Sequence, residues 1–206
     1  MDIYKILSAL FIFNTVFSYS QKSTTDKLNL DFEIVENGKP KDWKVFPNKN
    51  EKFIEFDNSI VKNGNKAVSL EHKRNKKTSL LSYIPAIHKG KQLKVTAYIK
   101  TKGVKHVEFW TRADHNGAYA NKYISGTNDW TKFEIMIDLT EPLKYDYFTF
   151  GVTLKGKGKV WIDDFELSID NKNIHHSKKV ATLFNQINRL ENYSESLIAT
   201  SSKNEK

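Results

Sequence analysis

The sequence predicts an all-β fold, a two-sheet antiparallel sandwich over residues 21–170, followed by a C-terminal amphipathic helix or tail over 171–206. Three observations predict it: apolar residues alternate at period two, glycine-bearing reversals separate the runs, and helical spacing is absent until past Ile169. In Leu93 to Lys100 the residues Leu93, Val95, Ala97 and Ile99 face one way and Lys94, Thr96, Tyr98 and Lys100 the other. One face packs and the other meets water.

Taken in order, residues 1–20 have the layout of a signal peptide: Lys5, an apolar run from Ile6 to Phe17, then Ser18 and Ser20 in a small-x-small arrangement before Gln21. The run is short for a stable membrane span, so no transmembrane segment is expected after cleavage; an uncleaved N-terminal anchor is the rival reading. Either way the folded part is expected outside the cytoplasm, secreted or periplasmic. The chain has no Cys, which excludes a disulfide framework, thiolate metal sites and a lipid-anchored lipoprotein. With 33 Lys+Arg against 24 Asp+Glu it is basic. Export argues against nucleic acid as the partner, and leaves a mixed solvated surface or attraction to anionic polysaccharide or membrane.

The remaining strands follow the same alternation. Phe133, Ile135, Ile137 and Leu139 oppose Glu134, Met136 and Asp138, while Phe148, Phe150, Val152 and Leu154 oppose Tyr147, Thr149, Gly151 and Thr153. Shorter candidates are Phe53 to Phe56, Lys66 to Glu71, Leu80 to Ile84, Val107 to Ala113 and Val160 to Ser168, for about eight or nine strands in all. Reversals are expected at Asn37-Gly38, Asn63-Gly64, Lys89-Gly90, Lys102-Gly103, Asn116-Gly117 and Lys155-Gly156-Lys157-Gly158. The basic run His72 to Lys77 reads as a surface loop. Beyond the sandwich, Val180, Leu183, Phe184, Ile187, Leu190 and Leu197 fall at three- and four-residue steps, predicting a helix from Lys178 to about Ile198 that docks on the sandwich or pairs with a partner protein.

Several segments resemble one family pattern. Asn29-Leu30-Asp31-Phe32-Glu33 with Asn37-Gly38-Lys39-Pro40-Lys41-Asp42-Trp43 is similar to the opening of galactose-binding-like jelly rolls, the superfamily that holds many carbohydrate-binding modules. Lys62 to Leu70 resembles their strand entry, Gly126-Thr127-Asn128-Asp129-Trp130 their Trp-bearing turn, and Val160-Trp161-Ile162-Asp163-Asp164-Phe165 their closing strand. Ile84 to Lys91, Tyr98 to Thr101 and Gly156 to Trp161 resemble the variant that precedes exported tail-processing-type serine peptidases and erythromycin-esterase-like hydrolases. There the hydrolase follows the jelly roll. This sequence reaches Lys206 without a G-x-S-x-G elbow, an H-E-x-x-H motif or a thiol, so the expectation is a binding module and not an enzyme.

The resemblance also implies a structural calcium, with Glu33 and Asp163 or Asp164 as ligands and carbonyls from Asn63 to Lys66 completing the oxygen shell. Lys66 as an internal cation is the alternative. For a ligand, alternation buries Val107, Phe109, Thr111 and Ala113 and turns Glu108, Trp110, Arg112 and Asp114 outward. Trp110 with Arg112, Asp114 and His115, and with Tyr119 and Tyr123 from the following loop, would form a sugar platform in which a ring stacks on indole and charged groups take hydroxyls. The other reading leaves Trp110 under a loop and Arg112 in a structural ion pair with Asp114. Trp43, Trp130 and Trp161 are assigned to the frame. The adjacent His175 and His176 point apart and are read as solvated. Two functions therefore stand: a glycan-binding module, or a protein-interaction domain left from a hydrolase accessory domain.

Overall fold

A computed structural model describes residues 28–86, 90–113, 117–139 and 147–174. The expected signal peptide, the C-terminal helix, His175-His176, Asp114 and His115 lie outside the described residues. In chain order the elements are β1 (Val35–Glu36), β2 (Lys39–Pro40), β3 (Lys44–Phe46), a 3-10 turn (Asn48–Phe53), β4 (Ile54–Asp57), β5 (Ala67–His72), β6 (Lys77–Pro85), β7 (Gln92–Ala113), β8 (Tyr119–Asp138), β9 (Tyr147–Lys155), β10 (Gly158–Ile169) and β11 (Lys172–Asn173). Every pairing is antiparallel.

The strands run in the order β3-β6-β9-β7-β10-β5-β4, with β8 alongside β7. What folds this ribbon into a sandwich is β7. Its first half, Leu93 to Lys102, pairs with β10, and its second half, His106 to Ala113, pairs with β9. A front sheet thus comprises β3, β6, β9, the second half of β7 and the start of β8. The back sheet comprises the end of β8, the first half of β7, β10, β5 and β4. Two-sheet closure by strands that change sheet at a bend is the jelly-roll solution, and the fold expected from the alternation is the one observed.

The bend corrects two expected reversals. Lys102-Gly103 does not end a strand: β7 continues through it, with three register irregularities between Ile99 and Val107 and Gly103 at φ 61°. Opposite it, Gly126 to Trp130 lies inside β8 and not in a turn. There Gly126 takes φ 83°, Asn128 Nδ2 donates to Thr101 Oγ1 at 2.9 Å, and the Gly103 amide donates to Thr127 Oγ1 at 3.0 Å. Side chains replace the ladder bonds lost at the corner.

Two connections cross between sheets beside this corner, β5 to β6 and β9 to β10. Gly158, at φ 122°, passes so close that a Cβ there would lie 2.8 Å from the Gly103 carbonyl oxygen. His72 ties both crossings together. It is not in a surface loop but buried at the end of β5, where Nε2 bonds Thr78 Oγ1 at 2.8 Å and Nδ1 bonds the Gly156 carbonyl at 3.0 Å.

The core lies between the sheets. Leu70, Leu80, Ile84, Leu93, Ile99, Phe109, Phe148, Phe150, Leu154, Ile162 and Leu167 are fully buried, each contributing roughly 1.5–3 kcal/mol of hydrophobic transfer. The opening segment plugs one end. Trp43 packs on Phe32, Phe150 and Phe165 with centroids 4.7–5.6 Å apart, and its indole N–H donates to the Asn29 carbonyl at 2.7 Å. Asn29 in turn holds the β1–β2 hairpin, accepting from the Ile34 amide and donating to the carbonyls of Ile34 and Lys41. Trp43 and Trp161 are frame residues, as expected; Trp130 is half-buried. Packing continues past Asp170, because Ile174 is buried and its amide donates to Leu167.

Candidate functional site

The outward face of the front sheet is set by register. Glu108, Trp110 and Arg112 of β7 stand opposite Tyr123, Asn121 and Tyr119 of β8 on one side, and opposite Thr153, Gly151 and Thr149 of β9 on the other. Beyond β9, the same rows continue into Ser79, Leu81 and Tyr83 of β6, and Phe46 of β3 is paired with Ser79. The alternation expected for 107–113 holds in full, with Val107, Phe109, Thr111 and Ala113 completely buried. Tyr119 and Tyr123, expected in a loop, belong to β8, which pairs with β7 from Tyr119 onward.

Glu108 organises the upper part of this face. Its Oε1 accepts from the Tyr119 hydroxyl and, at 2.8 Å, from Asn121 Nδ2; Asn121 Nδ2 also reaches the Tyr123 hydroxyl at 3.0 Å. Burial acts to raise the Glu108 pKa, but the donated bonds from Tyr119 and Asn121 outweigh it and hold the carboxyl below the usual range. The same contact acts oppositely on Tyr119, whose hydroxyl is pushed up to about 12 by burial and by the bond to the carboxylate. Tyr119 and Tyr123 are nonetheless 51% and 61% exposed, so their rings remain open to a ligand. His106 stacks on Tyr123 at 4.6 Å.

Trp110 is half-buried: one part of its ring packs on the core. Its indole N–H donates to Thr153 Oγ1 at 3.0 Å, and that hydroxyl is 2.8 Å from Ser79 Oγ. The ring therefore reaches onto β9 beside Gly151, which offers no side chain. Gly151 cannot be replaced without displacement of β6, since a Cβ would lie 2.2 Å from the Leu80 carbonyl oxygen. No ion pair forms between Arg112 and any carboxylate among the described residues. Phe46 is 63% exposed at the far edge, and Tyr83 and Tyr147 form an edge-to-face pair at 5.6 Å. Sequence reading does not show that Asn121 borders Trp110, nor that Phe46, Tyr83 and Tyr147 share this face. The alternation within β6 and β9 was visible, but which strands lie side by side is a tertiary fact.

The expected calcium ligands meet at one loop, in a different role. Glu33 Oε1 accepts the amides of Asn65 at 2.6 Å and Lys66 at 3.0 Å, and Lys66 Nζ lies 3.8 Å from Oε2. Asp163 is fully buried, with Oδ2 accepting the amides of Lys62 at 2.9 Å and Asn63 at 3.2 Å. Asp164 bonds Asn63 Nδ2 and adopts φ 47°, forming a bulge in β10. These carboxylates face N–H donors and an ammonium. Among the described residues no three carboxylate or imidazole side chains stand close enough to hold a metal ion. The residues present therefore do not fit calcium's oxygen shell of six to eight ligands.

Comparison with known proteins places the fold in context. A family-61 carbohydrate-binding module solved in complex with β-1,4-galactotriose superposes with a TM-score of 0.55 at 16% identity, covering 70% of this chain and 99% of that one. The enzymatically active domain of a bacteriophage CBA120 tailspike protein matches with a TM-score of 0.50 at 12% identity, covering 68% of this chain and 21% of that one. The fold is thus the jelly roll seen in carbohydrate-binding modules. In sequence, an uncharacterized HTH-type transcriptional regulator of Bacillus subtilis is 37% identical over 82 residues, which cover 36% of this chain and 27% of the regulator. This chain thus spans about a quarter of that relative's length. No family model matches. Among the described residues no helix is long and apolar enough to cross a membrane.

Proposed function

We propose that this chain is an exported, non-catalytic glycan-binding module whose ligand lies across the outward face of the front sheet. The observation that carries the reading is the convergence there of Trp110, Tyr119 and Tyr123 with Glu108, Asn121 and Arg112. Aromatic faces stack on the C–H surfaces of sugars, and an ordered carboxylate, amide and guanidinium take hydroxyls. Five strands about 4.8 Å apart make a face roughly 19 Å across, room for several consecutive sugar rings.

The opposite side of the molecule supports the choice of face. On the back sheet's outer surface the cations are used internally, as Lys94–Glu134 at 3.9 Å, Lys100–Asp129 at 2.6 Å, Lys132–Glu166 at 2.7 Å and Lys159–Glu71 at 3.7 Å. Apart from Lys102 at the corner, those cations are balanced on a solvated surface. The front face instead keeps exposed rings.

The test is affinity electrophoresis and a glycan array with Tyr123→Ala, a substitution at an exposed ring that leaves the core untouched, beside Trp110→Ala. Retention by at least one polysaccharide is expected, lowered on the order of tenfold by either change. Retention by no glycan, or retention indifferent to both substitutions, defeats the reading and favours a protein-interaction domain.

A further inference from the structure

The inference rests on the glycan-binding reading and specifies the chemistry of the glycan. Arg112 is the observation that starts it. Its guanidinium stands on the platform with no salt bridge or hydrogen bond among the described residues, and its Nε is buried without a partner. Directly across the ladder, Thr149 Oγ1 is also buried and unpartnered. Buried polar groups without a partner are costly, and native folds rarely keep two side by side without a reason.

The described neighbours lean away from Arg112. Tyr119 faces it across the ladder but donates its hydroxyl to Glu108, two rows away. Trp110 reaches the same way, to Thr153. Glu108, the anion of this cluster, has its Oε1 taken by Tyr119 and Asn121 and forms no ion pair with Arg112. Among the described residues, the other charged side chains in register with this face are lysines. Lys77 and Lys155, paired in register across β6 and β9, carry no salt bridge among the described residues. Lys44 lies over the Tyr83 ring at 5.3 Å. On the back sheet Lys94, Lys100, Lys132 and Lys159 are each set against a carboxylate, whereas Lys77 and Lys155 add positive charge beside the aromatic floor of the front sheet.

We propose that the ligand is a carboxylate-bearing glycan, a polyuronate, whose carboxylate is received by the Arg112 guanidinium while its ring lies on Trp110 and the tyrosines. The planar fork of arginine matches a carboxylate in two parallel bonds, and a guanidinium with no anion among the described residues has that capacity available to a ligand. Lys77 and Lys155 supply attraction at longer range, which salt screens.

Affinity gels containing sodium polygalacturonate, its fully methyl-esterified form, a neutral β-1,4-galactan or dextran sulfate decide the matter, with thermal melting as the check on folding. Polygalacturonate should retard the wild-type chain on the order of tenfold more strongly than its methyl ester, and Arg112→Gln should abolish that difference. Arg112→Lys, which keeps the charge and removes the fork, should recover only part of it; this variant stands in if Arg112→Gln does not fold. Equal retention by the acid and the ester, unaffected by Arg112→Gln but lowered by Tyr123→Ala, overturns the carboxylate inference and leaves the platform reading standing. Retention by dextran sulfate equal to that by polygalacturonate also overturns it, since charge alone would then suffice. Retention by no matrix defeats both.

Discussion

Asp163 shows how a residue type can be visible in sequence and its role decided elsewhere. The pair Asp163-Asp164 invites a metal reading, but Asp163 is covered by the loop 58–66 and receives three backbone amides, those of Lys62, Asn63 and Asp164. Burial is the largest influence and pushes its pKa up to about 6 from 3.8; the Lys62 and Asn63 amides pull against it, and the charge of Asp164 adds to the rise. A raised carboxyl binds its proton more tightly in the folded state, so its contribution to stability is present below pH 3.8 and is lost as pH rises through about 6. Asp163→Asn keeps one acceptor and removes the titration. Its deficit relative to wild type should therefore be largest near pH 4 and shrink toward pH 7, measured by urea unfolding at each pH; a deficit that grows toward neutrality would contradict this. Glu33 and Asp57 work the other way. Their burial is outweighed by donated bonds, their pKa values are lowered, and they lose their contribution as pH falls.

At the scale of elements, the decisive feature is the corner at which β7 and β8 pass from one sheet to the other. Sequence alternation identifies both flanks of this ribbon and the inward set on each, yet reads Lys102-Gly103 as a reversal. Locally it looks like one: a glycine at positive φ after a lysine is turn chemistry. Only the continued pairing of β7 with β8 across the irregularity makes it a bend. The glycines of the corner differ in what they tolerate. Gly126→Ala meets nothing within 4 Å and should cost only the left-handed penalty, about 1–2 kcal/mol. Gly158→Ala drives a Cβ into the backbone of Gly103 and Val104 at 2.8–2.9 Å, and should cost more, at least about 3 kcal/mol or failure to fold. Chemical denaturation of the two variants side by side checks the order, and an equal cost would mean that the close approach is relieved by movement of β10. His72 belongs to this scale too. Its burial lowers its pKa against the raising influence of the Gly156 carbonyl, and its two ring nitrogens join the crossing from β5 to β6 to the crossing from β9 to β10. A basic run around it hid this in the sequence.

For the molecule as a whole, the expected calcium provides the clearest test of sequence against tertiary structure. The loop junction that the resemblance assigns to an ion is closed by amides and by Lys66, so addition of calcium chloride or of a chelator should leave the melting temperature unchanged; a rise with calcium would show that the carboxylates release their amides for the ion. The net charge of +9 acts at the same scale and makes any polyanion binding strongly salt-dependent. The sequence by itself determined the all-β class, the inward and outward faces of the long strands and the presence of Trp110 and Arg112 on an outward face, because period-two alternation is a local property of a strand with one buried side. It also carried the opening and closing segments whose Trp43 and Trp161 serve the frame. Only the tertiary structure decided which strands are neighbours, and hence that Asn121 borders Trp110 and that Tyr119 and Tyr123 reach it from within β8 and not from a loop, that Glu108 accepts from Tyr119 while Arg112 has no anion among the described residues, and that Glu33 and Asp163 bind amides. The reason is physical. Register and sheet order are set by long-range pairing around the β7 bend, and a side chain's charge partners depend on residues 11 to 101 positions away in the chain, beyond the reach of any local pattern.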